Sequence, residues 1–167
     1  MGERGVDPRL WPLVCPEIHA PPAKASLLAI ERCDPALAIP YVRAWHSRLP
    51  RVQRGPWMLA FVAHFHGTCF GAALWNNPSA RTLPQDWLEL RRMAVAPDAP
   101  HCTASRMLGE MRRVIGRSLP TVTRLISYQD TLVHKGTIYK AAGWTAAAVA
   151  HARTRDRSKP RAGTRRM

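Results

Sequence analysis

Residues 120–144, PTVTRLISYQDTLVHKGTIYKAAGW, constrain the fold more than any other stretch of this chain. An apolar run through Leu125 and Ile126 ends in a polar cluster, Ser127–Tyr128–Gln129–Asp130. A short loop carrying His134 and Gly136 follows, then a compact helix over 135–142 that contains Tyr139, closed by Gly143–Trp144. The spacing predicts a strand over 122–128 whose polar tip feeds directly into a loop and helix. Such a unit belongs to an α/β sandwich, where strands and helices alternate along the chain.

The rest of the sequence extends that reading. Residues 1–25 carry five prolines and no periodic pattern, so they read as an extended surface arm. Ser26–Arg32 reads as a first strand. Asp34–Pro35 then starts a helix through Ala38, Val42 and Trp45, with a carboxylate cap and proline at the first helical position. Trp57–Phe65 and Thr68–Leu74 form a hairpin about a His66–Gly67 turn. Asn76–Gln85 is a loop, and Trp87–Val95 is the fourth strand. From Thr103 the period changes: Ala104, Met107, Leu108, Met111 and Ile115 share one face of a helix. A weak strand over 145–150 precedes a solvated, basic tail over 151–167. The order is β-α-β-β-β-α-β-α-β, an α/β fold with a mixed central sheet flanked by helices.

The 167 residues fit one domain, residues 26–150, between the arm and the tail. The 25 Lys and Arg against 11 Asp and Glu give a formal charge of +14. Nearly all of that excess is arginine, whose planar guanidinium suits phosphate, so a nucleic-acid partner is indicated; Arg-rich codon usage is the plainer source. The cysteines are scattered, without a CxxC pair, which fits free thiols rather than a zinc site or disulfide framework. Trp57–Ala63, the longest apolar run, is too short to span a bilayer, and Met1–Leu10 lacks the apolar core of a signal peptide. A cytoplasmic protein without membrane contact is expected.

The strand, polar tip, helix and Gly-aromatic stop of 120–144 resemble the last half of the GNAT acyl-CoA transferase fold. The wording SYQD…H.GTIYKAAGW is similar to phage DNA-modification proteins of the Mom family. The resemblance implies an enzyme, in the host cytoplasm if phage-encoded, that uses acetyl-CoA and acts on double-stranded DNA. Its implied product is N6-carbamoylmethyladenine, which shields phage DNA from restriction and carries a nitrogen that acetyl-CoA does not supply. Tyr139 takes the place of the family's thiolate-protonating tyrosine. On the 87–95 strand, Met93 and Val95 match the positions that pair with the pantetheine arm. Thr103, Ala104, Ser105 and Arg106 stand where a Gly-rich loop and helix N-terminus hold the pyrophosphate, here without the glycines.

Further residues complete the candidate set. Asp130 and His134 are placed to orient or deprotonate an incoming amine. Ala44–Trp45–His46–Ser47–Arg48–Leu49–Pro50 resembles a His-aromatic-Ser segment of Mom-like proteins, with the aromatic displaced, and makes His46 and Ser47 catalytic candidates. Arg91 (or Arg92), Ser127 and Tyr128 are candidate substrate contacts. Trp45, Trp75 and Tyr128 are candidate stacking partners for a flipped base, although core packing is the plainer account of the first two. Alternation puts Glu89, Arg91 and Met93 on one face, with Glu89 either a base or half of an ion pair. Alternation also puts His64 and His66 on one face, a weak metal pair that the turn explains better. Iron at His46 and Asp130 is a further possibility raised by the resemblance, outside the main reading. Two alternatives stand beside it: N-acetyltransfer to a protein or small-molecule amine, and a DNA-binding module without catalysis.

Overall fold

The computed structural model describes residues 20–46, 51–52, 55–131, 134–150 and 164–166. The arm before residue 20, Ser47 and residues 151–163 of the tail lie outside the described residues. The elements are β1 (Ala29–Cys33), α1 (Pro35–Trp45), β2 (Leu59–Phe65), β3 (Thr68–Asn76), β4 (Trp87–Val95), α2 (Thr103–Ser118), β5 (Arg124–Asp130), α3 (Thr137–Ala141), β6 (Ala148–Ala150) and β7 (Thr164–Arg166). They build a seven-stranded mixed sheet in the order β1-β2-β3-β4-β5-β7-β6, with β4–β5 the parallel pair. The α/β architecture is thus the expected one, with one strand more.

Local chemistry accounts for most boundaries. Asp34 Oδ1 accepts a 2.7 Å hydrogen bond from the Ala36 N–H, the cap expected before Pro35. The β2–β3 hairpin turns on His66 and Gly67, both at positive φ (47° and 80°), as a two-residue turn matched to strand twist requires. That backbone breaks the alternation that would pair His64 with His66. His64 Nε2 lies 3.3 Å from Glu31 of β1, while the His66 ring packs edge-on against Phe65. Gly136 (φ 76°) and Gly143 (φ 75°) bracket α3, where a side chain would be strained.

Three expectations need correction. The first strand does not start at Ser26: Ala25–Leu27 form a 3₁₀ turn that buries Ala25 and Leu28, and β1 begins at Ala29. Ser127–Asp130 are not a tip beyond β5 but its second half, because Tyr128, Gln129 and Asp130 pair with Arg166, Arg165 and Thr164. Those partners sit in the stretch read as a solvated tail. Backbone pairing makes them a strand despite the lack of any apolar pattern.

Two apolar layers flank the sheet. On one side, α2 and α3 cover Phe61, Ala73, Trp75, Leu88 and Leu90 through Met107, Leu108, Met111, Ile115 and Tyr139. On the other, α1 covers Ala60, Val62, Cys69, Ala72 and Leu74 through Ala38, Ile39, Tyr41 and Val42. Trp75 is fully buried with its indole N–H on Met111 Sδ at 3.3 Å, and Trp45 stacks on Tyr41 at 5.1 Å. Full burial removes Trp75 from any contact with a base, while Trp45 is half-buried against Tyr41. Burial raises the thiols of Cys33 and Cys69 to about 12, leaving them protonated and inert.

Candidate active site

The site is built where β4 and β5 part. Their parallel pairing runs from Trp87↔Arg124 to Leu90↔Ser127 and stops. Beyond it β5 takes β7 as its neighbour, and β4 acquires an extra residue. Leu74 pairs with Arg92 but Trp75 with Leu90, so Arg91 is the bulged residue. Bulges re-aim side chains and end pairing, and they gather near active sites.

The bulge resets the alternation along β4. Directly paired residues of antiparallel strands share a sheet face. Leu90 follows Trp75 and Met93 follows Ala73 onto the α2 face, whereas Glu89 follows Asn76 and Arg92 follows Leu74 onto the α1 face. Glu89, Arg91 and Met93 therefore do not share a face. Glu89 is buried, and its carboxylate accepts from the Ser79 N–H (2.7 Å) and hydroxyl (2.9 Å). Arg91 is drawn to Glu89 at 3.5 Å and to the Asn77 carbonyl at 2.7 Å. These two residues hold the 77–79 loop, which leaves Glu89 engaged as an acceptor and Arg91 anchored rather than directed at substrate.

The Ala96 N–H bonds the Phe70 carbonyl, so Ala94 and Ala96 point their backbone groups at β3. Alternation then turns those of Met93 and Val95 toward the opening, where no strand among the described residues meets them. The two candidate pantetheine-binding positions thus present free peptide groups to the gap.

At the root of the gap, Tyr139 Oη lies 2.7 Å from Ser127 Oγ, whose other contact is the Leu90 carbonyl at 3.4 Å. Tyr139 and Ser127 are both buried. Burial raises the Tyr139 phenol above its ordinary value, and the bond from Ser127 offsets this in part. The phenol keeps its proton at neutral pH. Its ring also packs edge-on against Trp144, 5.6 Å between centroids.

A second group lies on the α1 face. His46 caps α1, its N–H on the Val42 carbonyl at 2.9 Å. Burial, then the charge of Arg92, and more weakly that of His134, lower its pKa from 6.5. The fold has therefore brought together three residues far apart in sequence. Asp130 reaches this region through the turn, its carbonyl accepting from the His134 N–H at 2.9 Å, and Tyr128 shares its side of β5 by alternation. Arg92, not Arg91, is the arginine facing the candidate histidines; only the bulge reveals it. Gln129 was missed as well. It is buried, donates to the His134 carbonyl at 3.4 Å, and leaves its amide oxygen without a hydrogen-bond partner among the described residues. No sequence signal separates it from an ordinary strand glutamine.

The N-terminus of α2 departs from the expected chemistry. Thr103 Oγ1 donates to the Pro100 carbonyl (2.7 Å) and Ser105 Oγ to the Cys102 carbonyl (3.0 Å), so neither hydroxyl caps the helix. Cys102, at φ 69°, makes the turn that glycine would otherwise make. Arg106 is tied to the Leu28 carbonyl at 3.2 Å and to Glu110 at 3.7 Å. What remains for an anion is the backbone: first-turn N–H groups such as those of Ala104 and Ser105, which an α-helix leaves without intrahelical acceptors. Among the described residues no three His, Cys, Asp or Glu side chains converge, so the His46–Asp130 iron idea finds no third ligand there. No helix among them is long and apolar enough to cross a membrane.

Strand order, parting strands and the buried tyrosine define the GNAT fold, and solved structures agree. A GCN5-related N-acetyltransferase from Kribbella flavida aligns with a TM-score of 0.59 at 14% identity, covering 86% of this chain and 98% of that one. A Bacillus subtilis acetyltransferase in complex with CoA aligns at 0.58 with 10% identity, covering 83% and 95%. The ribosomal-protein-S18-alanine N-acetyltransferase from Escherichia coli gives 0.58 at 18% identity, covering 84% and 91%. Within that fold, the Mom protein family model matches residues 27–164, and the chain belongs to the Mom family. A search of the curated proteins finds no match.

Proposed function

We propose that this protein is an acetyl-CoA-dependent transferase acting on the N6 amine of adenine in double-stranded DNA. The N6-carbamoylmethyladenine that the family resemblance implies also needs a nitrogen donor and a carbon–nitrogen bond at the acetyl methyl, which thioester cleavage alone does not supply. The observation that carries the reading is the Tyr139–Ser127 contact at the root of the β4–β5 gap. Met93 and Val95 offer backbone groups to the pantetheine arm, and the first turn of α2 offers N–H groups to the pyrophosphate. Tyr139, held neutral by burial, donates its proton to the sulfur as the thioester bond breaks. His46, neutral because burial and Arg92 disfavour its cation, accepts the proton the amine loses, with His134 and Asp130 beside the entry. Ser127 holds the Tyr139 hydroxyl in place, and Tyr128 and Arg92 face the acceptor from the α1 side. The +14 charge supports a polyanionic substrate.

The test is mass spectrometry of nucleosides from DNA of cells expressing the protein, beside a Tyr139→Phe control. The wild type yields a modified deoxyadenosine, and the control yields less by about 10²-fold or more, the usual worth of a general acid. Standard nucleosides alone, from folded protein, would overturn the DNA reading in favour of N-acetylation of a protein or small-molecule amine.

A further inference from the structure

On the paired half of β4–β5 there is a second concavity, away from the gap. Its volume is about 490 Å³, within the roughly 300–1,000 Å³ of small-molecule sites. Trp87, Ile115, Gly116 and Trp144 form part of its wall, and Arg112 and Arg124 supply the charge. No acidic side chain is among the described residues lining it. The nearby Asp86 carboxylate is already occupied by the Thr123 hydroxyl. Arg124 lies over the Trp87 ring, 4.6 Å from its centroid, which fixes the guanidinium plane while leaving its edge for an anion. The Trp144 indole N–H is buried and has no hydrogen-bond partner among the described residues.

The concavity is separate from the acyl-donor region. Arg112 is eight residues along α2 from Ala104, roughly 12 Å at the rise of an α-helix. Trp87↔Arg124 also lies three register positions before Leu90↔Ser127, where the strands part.

We propose that this concavity binds a nucleotide, its base against the aromatic and aliphatic wall and its phosphate at Arg112 and Arg124. Two arginines without an opposing carboxylate select a phosphate-bearing ligand over an uncharged one, and the indole rings select a planar one. The nucleotide is either free or one unit of a DNA strand; the chemistry is the same.

Calorimetric titration of the full chain with deoxyadenosine monophosphate and with a 5′-phosphorylated deoxyadenosine hexamer decides this, without reference to acyl transfer. A Cβ at Gly116 would meet nothing within 4 Å, so Gly116→Phe fills the cavity from a helical position that tolerates it. The expected result is binding by wild type that weakens at least about tenfold in Gly116→Phe, with thermal melting unchanged. Plug-sensitive binding of the monophosphate identifies a free nucleotide; plug-sensitive binding of the hexamer alone identifies a strand unit. Unphosphorylated deoxyadenosine should bind about tenfold more weakly than the monophosphate where the latter binds, a difference lost in the exposed pair Arg112→Ala/Arg124→Ala. This double variant decides the matter should the plug not fold. Equal affinity in wild type and variants for both probes, or no binding of either at millimolar concentration, overturns the proposal.

Discussion

The same two strands behave differently over their two halves. From Trp87 to Leu90, β4 lies in register with β5, and its side chains Leu88 and Leu90 are core residues. From Arg91 to Val95 it has no partner strand on that side among the described residues, while β5 pairs with β7 on its other edge. Composition does not explain the contrast, since WLEL and RRMAV both mix apolar and charged residues. Two devices do: one extra residue at Arg91, and a partner on the outer edge of β5 for Tyr128–Asp130. The opening is thus held apart by hydrogen bonds on both outer sides, which makes it a built feature rather than a packing defect.

Removing residues 164–167 should strain this comparison most. Without β7, Tyr128–Asp130 lose their ladder and nothing holds β5 away from β4. Catalysis should fall about 10²-fold, as small misplacements of reacting groups do, and hydrogen exchange at 128–130 should accelerate. Retained activity would show that β7 does not hold the gap open.

Glu89→Gln separates scaffold from chemistry at the boundary of the halves. If Glu89 serves only to hold Ser79 and Arg91, the variant should lose about 1–3 kcal/mol in denaturant unfolding and keep most of its turnover at low temperature. A hundredfold fall in turnover at full stability would reinstate Glu89 as a base.

A smaller effect is expected on pH. His46 has a folded pKa below its unfolded 6.5, so it binds protons more readily unfolded. Its contribution to stability is complete above pH 6.5 and is lost as pH falls through the lower, folded value. Activity should likewise decline on the acid side with a midpoint below 6.5, and Arg92→Ala should move that midpoint upward by removing a repelling charge. A midpoint indifferent to Arg92 would exclude His46 as the group observed.

The mildest probe is Cys102, exposed at the start of α2. Acetyl-CoA should slow its alkylation several-fold, read by peptide mass spectrometry, if the pyrophosphate lies on that helix turn. An unchanged rate would move the pyrophosphate elsewhere.

Much of this could be read from the sequence because the governing interactions are local. The bounds of β4, the Asp34 cap, the apolar stripe of α2 and the glycine stop after Tyr139 follow from neighbours within a few residues. The bulge could not be read, because it exists only in the mismatch between β3 and β4. β7 could not be read either, because Thr-Arg-Arg carries no apolar pattern and gains its order from β5. The same holds for the site: Tyr139 was legible from its motif, whereas the meeting of His46, Arg92 and His134 required the tertiary fold.

The placement of β7 between β5 and β6 also orders events in time. β5 can stand beside β4 with its far half open, whereas β6, among the described residues, joins the sheet through β7. Until residue 166 has been made, the backbone of Tyr128–Asp130 lacks its final neighbour. The central core can therefore be buried while Tyr128–Asp130 still lack this neighbour, so the outer edge of the opening is completed in one step, with β7, rather than by degrees.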